Sequence, residues 1–137
     1  MSIAIKDLDK LSPRAEDYLK CIYMLEETHG KVRIKDIAEL MGVKPSSVID
    51  YLRRLSQEGY IVYEPGKKIV LTEKGKNIAK QIYKTYETVK EFLILLGVPE
   101  DIAKIDACRI EHGLHEITLR KITEFIEKHR QNIGKKA

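Results

Sequence analysis

Cys108, Glu111 and His112 stand at i, i+3 and i+4 in the stretch Ile105-Asp-Ala-Cys-Arg-Ile-Glu-His112. A helix through that stretch would send all three side chains from one face, one turn apart. Thiolate, carboxylate and imidazole converging on one point are ligands for a transition metal. The same residues also fit a plainer pattern, a cysteine acting as a small hydrophobe beside a solvent-facing Glu-His pair. Two features favour the metal: the ligand types complement one another, and Asp17, near the start of an earlier predicted helix, offers a fourth donor from a distant part of the chain. His115 shares the face and reads as either a substitute ligand or a helix-end residue. Cys21, one turn after Asp17, reads as either helix core or a ligand.

These residues need elements to hold them. Ser12-Pro13 starts a helix to about Glu27, ended by His29-Gly30, with Tyr18, Ile22 and Leu25 inward. Arg33 to Met41 is a second amphipathic helix, Gly42-Val43-Lys44 a tight turn, and Pro45 to about Glu58 a third helix. Tyr60–Tyr63 and Ile69–Leu71 are short branched and aromatic runs around the turn Glu64-Pro-Gly-Lys-Lys68, which predicts a hairpin. Thr72-Glu73 caps a long helix to about Leu96. A fifth helix, Glu100 to Gly113, carries the metal-type cluster. A sixth, Glu116 to His129, is expected to bury Ile117, Leu119, Ile122, Phe125 and Ile126. Residues 1–11 read as an arm and Gly134–Ala137 as a frayed tail.

Helix, helix, tight turn, helix, hairpin is the order of a winged helix-turn-helix, with the third helix entering the major groove. Its N-terminal residues Lys44, Pro45, Ser46, Ser47 and Asp50 are the candidate base-edge contacts. Arg53, Arg54, Lys67 and Lys68 are the candidate phosphate contacts. Between Lys31 and Lys76 ten Lys/Arg stand against six Asp/Glu, an excess of 10 − 6 = 4 that equals the whole chain's net charge of +4. That distribution suits DNA. A winged helix used only for protein contacts would carry the same elements, with these charges as a solvated face.

The 137 residues bound the chain to one domain or two small ones sharing a core, and 43% hydrophobic with 34% charged residues excludes a disordered chain. No apolar run reaches the roughly 18 residues a membrane helix needs. Two cysteines cannot build a disulfide framework, and the N-terminus lacks signal-peptide features, so a cytoplasmic protein without a membrane partner is expected.

Glu16-Asp-Tyr-Leu-Lys-Cys-Ile-Tyr-Met-Leu25, Ile37-Ala38, Pro45-Ser-Ser-Val48, Leu71-Thr72 with Gly75, and Ala107-Cys-Arg-Ile-Glu-His112 together resemble the diphtheria-toxin-repressor/manganese-transport-regulator family of metal-dependent transcriptional repressors. The resemblance runs from about Ser12 to Phe125 and fits the short, two-domain branch. It implies a mainly α fold, with a winged helix-turn-helix over 1–74 and an all-helical dimerisation and metal-binding domain over 75–137. It further implies a homodimer that binds double-stranded operator DNA when Mn²⁺ or Fe²⁺ is present, takes no small organic substrate, and controls metal-uptake genes. The positions matching the family's ligands are Asp17, Cys108, Glu111 and His112. This is a hybrid set, since oxygen ligands suit Mn²⁺ and a thiolate draws Fe²⁺, Zn²⁺ or Co²⁺. Positions matching further ligands of the family hold Lys20, Tyr86, Lys90 and Lys104 instead, so one metal per subunit is expected. Competing readings are a winged-helix regulator that ignores metal or answers oxidation of Cys108, and, more remotely, a metalloenzyme. Against the enzyme stands the lack of any separate nucleophile or acid–base set.

Overall fold

A computed structural model describes residues 11–136, with side chains through residue 132; the arm expected over residues 1–11 therefore lies, but for Leu11, outside the described residues. The described elements are helices α1 (Pro13–His29), α2 (Ile34–Met41) and α3 (Pro45–Gln57), strands β1 (Ile61–Glu64) and β2 (Lys68–Leu71), and helices α4 (Glu73–Leu95), α5 (Glu100–Ile110) and α6 (Glu116–Lys136). They form two compact units, one ending at Gln81 and one beginning at Ile82.

In the first unit each helix starts and stops where local chemistry requires. Ser12 Oγ accepts the Ala15 N–H at 3.1 Å and Pro13 follows at the first helical position. Gly42 ends α2 in the left-handed conformation, φ 67°, and its N–H returns to the Ala38 and Glu39 carbonyls. On α3, Val48, Leu52 and Leu55 recur at helical spacing and are all buried. With Tyr18, Leu19, Ile22 and Leu25 of α1 and Ile37 of α2 they make the core, closed by Ile61 and Ile69 of the hairpin. The strands pair antiparallel in the register Ile61↔Leu71 to Glu64↔Lys68. Glu26 Oε1 accepts the Leu71 N–H at 3.1 Å, fastening the hairpin to α1.

Thr72 joins the hairpin to α4. Its hydroxyl donates to the Gly59 carbonyl at 2.7 Å and accepts the Gly75 N–H at 3.2 Å. A side chain at Gly75 would collide with the Tyr60 carbonyl oxygen, so glycine there reflects a close backbone approach.

In the second unit Phe92 of α4 meets Phe125 of α6 edge-to-face, ring centroids 5.7 Å apart, and Ile126 is buried beside them. Three expectations change here. The fifth helix stops at Ile110 rather than Gly113, because the chain tightens into a turn with the Gly113 N–H on the Ile110 carbonyl. The sixth runs to Lys136, so the backbone of the expected frayed tail is helical as far as Lys136. Of the five apolar residues expected to be buried on it, only Ile126 is; Leu119 and Ile122 are half-buried, and Ile117 and Phe125 are each 49% exposed. Helical periodicity identifies an apolar face without saying what covers it. No described helix is long and apolar enough to cross a membrane.

Candidate metal centre and nucleic-acid interface

The end of α5 shows how one helix sorts its donors. Ala103 and Ala107 are buried, and Glu111 continues that stripe four residues on. Glu111 has a fully buried side chain, and the His112 side chain is 9% exposed. Cys108, one turn before both of them, is exposed. Of the three donors expected on one face, the Glu111 side chain is fully buried, that of His112 nearly so, and Cys108 is exposed.

Glu111 Oε1 lies 3.3 Å from His112 Nε2. Two adjacent ligands each about 2.1 Å from a six-coordinate ion stand about 3 Å apart. The pair thus has the separation of cis ligands, with one oxygen and one nitrogen donor. A fully buried carboxylate is costly unless a positive charge compensates it, and a divalent ion would do so. The donor set fits a metal.

In the first unit Asp17 is half-buried on α1, one turn before Cys21. The Cys21 thiol is pushed up to about 12, chiefly by burial, with Lys20 opposing and the Asp17 charge adding to the rise. A thiol held protonated is a poor ligand, so Cys21 belongs to the core. His115 is exposed and its carbonyl accepts the Leu119 N–H at 3.1 Å, the position of a helix-end residue. Lys20 is buried, at 8% exposure. Lys90 places its ammonium 5.3 Å from the Tyr86 ring centroid and 3.3 Å from Glu87 Oε1. Lys104 pairs with Glu100 at 3.5 Å.

On the DNA side, Lys44, Pro45, Ser46, Ser47 and Asp50 are all exposed around the start of α3, as are Arg53 and Arg54 further along it. Lys44 is the N-cap residue, and its ammonium, a donor only, cannot cap the helix and stands exposed. Lys67 and Lys68 are exposed at the hairpin turn, Lys68 in a loose pair with Glu64 at 3.9 Å. Arg54 stands over the Tyr51 ring at 5.1 Å, and Tyr51 stacks on Tyr18 of α1 at 4.3 Å and 11°. Sequence reading missed this stack. Its signal was Tyr18 on the inward face of the first helix and a second tyrosine inside the third.

Residues 10–69 match the family model described as iron dependent repressor, N-terminal DNA binding domain, and residues 72–135 match its partner, the metal binding and dimerisation domain. The chain belongs to the iron dependent repressor family. It is 37% identical over 125 residues to an uncharacterised HTH-type transcriptional regulator of Methanocaldococcus jannaschii, covering 90% of this chain and all of that one. It is 36% identical over 125 residues to the HTH-type transcriptional regulator MntR of Bacillus subtilis, covering 91% of this chain and 88% of MntR. Among solved structures, the manganese regulator SloR superposes with a TM-score of 0.74 at 29% identity over 85% of this chain. This chain spans about half of SloR, 55%.

Proposed function

We propose that this family member is a homodimeric, metal-dependent transcriptional repressor that binds operator DNA when loaded with Mn²⁺ or Fe²⁺ and controls metal-uptake genes. In this reading residues 1–74 read DNA and residues 75–137 dimerise and hold metal. The observation that carries it is the buried Glu111–His112 pair, spaced as cis ligands within the segment matched by the metal-binding model.

Asp17, Cys108, Glu111 and His112 would hold the ion, which supplies positive charge and a fixed coordination geometry. Glu111 and His112 anchor it on the dimerisation segment. Asp17 brings a ligand from the helix whose next residue, Tyr18, stacks on the recognition helix. A ligand shifts an equilibrium only by binding one arrangement better than another, and donors on separate elements supply that difference. His112 must present an unprotonated nitrogen and Glu111 an ionised carboxylate, so metal response weakens as pH falls. Lys44, Pro45, Ser46, Ser47 and Asp50 would meet base edges, while Arg53, Arg54, Lys67 and Lys68 meet phosphates. The manganese regulator among its structural neighbours and the MntR relative favour Mn²⁺; the Cys108 thiol favours Fe²⁺, Co²⁺ or Zn²⁺.

The test is DNA binding by the purified dimer with chelator and with Mn²⁺, Fe²⁺, Co²⁺ or Zn²⁺, with bound metal counted per chain. Asp17→Ala and His112→Ala should each reduce metal-stimulated binding at least tenfold while far-UV circular dichroism stays unchanged. Equal binding with chelator and with every metal would refute the reading. One ion per chain is expected, since Lys90 and Tyr86 engage each other where a second set of ligands would be needed.

A further inference from the structure

Below the hairpin a cleft of about 370 Å³ is lined by Lys31, Lys67, Lys68 and Lys76, with Glu26 the one acid on its wall. These lysines come from four places: the turn after α1, the hairpin tip, the start of β2 and the first turn of α4. All four are exposed. Lys68 has the loose partner Glu64, and among the described residues Lys31, Lys67 and Lys76 form no ion pair. Glu26 accepts the Leu71 N–H with one oxygen and supplies the single negative charge on the wall. The cleft therefore gathers four cations around one carboxylate, and an excess of like charge in one place repels itself unless a partner uses it.

We propose that this cleft is a second phosphate-binding surface, in which Lys31 and Lys76 join the hairpin lysines to hold the sugar–phosphate backbone of the DNA duplex beside the segment read by α3. The proposal rests on the DNA-binding reading above and extends it to two residues that reading does not use. The chemistry fits an extended polyanion. Each ammonium is a compact point charge on a flexible stem, able to follow a phosphate backbone, and lacks the rigid fork that would grip one discrete anion. Three residues separate α3 from the hairpin, and the cleft belongs to the same folded unit as the recognition helix. Lysine–phosphate contacts carry no base preference; they raise affinity for all duplexes and make it salt-dependent.

Counterion release gives a test that needs no operator sequence. Metal-loaded protein is titrated into a labelled 30-base-pair duplex of random sequence between 50 and 200 mM NaCl. Each phosphate contact contributes about 0.9 to the slope of log affinity against log salt, so Lys31→Ala/Lys76→Ala should lower the slope by about 1.8 per protomer, shrinking the wild-type advantage about tenfold per protomer across that range. A charge-matched control, Lys121→Ala/Lys128→Ala, should leave the slope within error. An unchanged slope in the first variant, or an equal fall in the control, overturns the proposal. So does saturable calorimetric binding of inorganic phosphate that the first variant loses, which would make the cleft a small-anion site. Failure of the wild-type protein to bind any duplex would instead sink the DNA-binding reading itself.

Discussion

Two thiols on one chain meet opposite environments. Cys21 is buried in the core of the first unit, and Cys108 is exposed near the end of α5. Native protein treated with iodoacetamide at pH 8 should therefore be modified at Cys108 and spared at Cys21, read by mass spectrometry of the digested protein. If Cys108 ligates the ion, saturating Co²⁺ should slow its modification at least tenfold; equal rates would remove it from the ligand set. Cys21 also has a pH signature. Its ordinary value is 9.0 and burial raises it to about 12, so between those values the unfolded chain releases a proton that the folded chain keeps. Its contribution to stability is thus complete below 9 and is lost as pH rises towards 12. Cys21→Ala should flatten the fall of urea-unfolding stability over that window. At this scale the sequence marked the donor types but not how deeply each is buried. A spacing of i, i+3, i+4 places three donors within one turn without saying which of them the rest of the fold covers. Here Ala103, Ala107 and Glu111 are covered while Cys108 stays exposed.

At the scale of elements, caps and turns were legible because they depend on neighbours in sequence. Ser12-Pro13, Gly42, the Pro-Gly hairpin and Thr72 act where their chemistry predicts. Contacts between elements were not legible, and Gly75 is the clearest case. It reads as a blemish near the start of a long helix, yet a methyl group there would strike the Tyr60 carbonyl. Gly75→Ala should therefore destabilise by about 2–3 kcal/mol despite alanine's higher helix propensity, seen as a lower urea midpoint. The Tyr18–Tyr51 stack had only a faint signal in sequence, two tyrosines 33 positions apart whose pairing depends on how α1 and α3 cross. Because it couples α1 to the recognition helix, Tyr51→Leu should weaken metal-stimulated DNA binding while leaving metal stoichiometry unchanged.

For the whole molecule, the second unit leaves Ile102, Ile105, Ile110, Ile117 and Phe125 exposed, an apolar surface that a lone subunit would not be expected to leave in water. A dimerising segment accounts for them, and Ile102→Lys/Ile105→Lys should shift sedimentation towards the monomer. The apolar pattern of α6 predicted that a face exists but assigned it to the chain's own core. One chain's sequence does not distinguish its own interior from a surface kept for a second copy. The Tyr18–Tyr51 stack has a last, practical consequence. The chain has no tryptophan, so its near-ultraviolet absorption and emission come chiefly from seven tyrosines. Two of them are locked ring on ring at the junction of α1 and α3. Near-ultraviolet circular dichroism, which is lost when aromatic packing loosens, should therefore be weighted towards that junction. The protein carries a label-free optical gauge of whether its recognition helix is seated, readable as metal is titrated in.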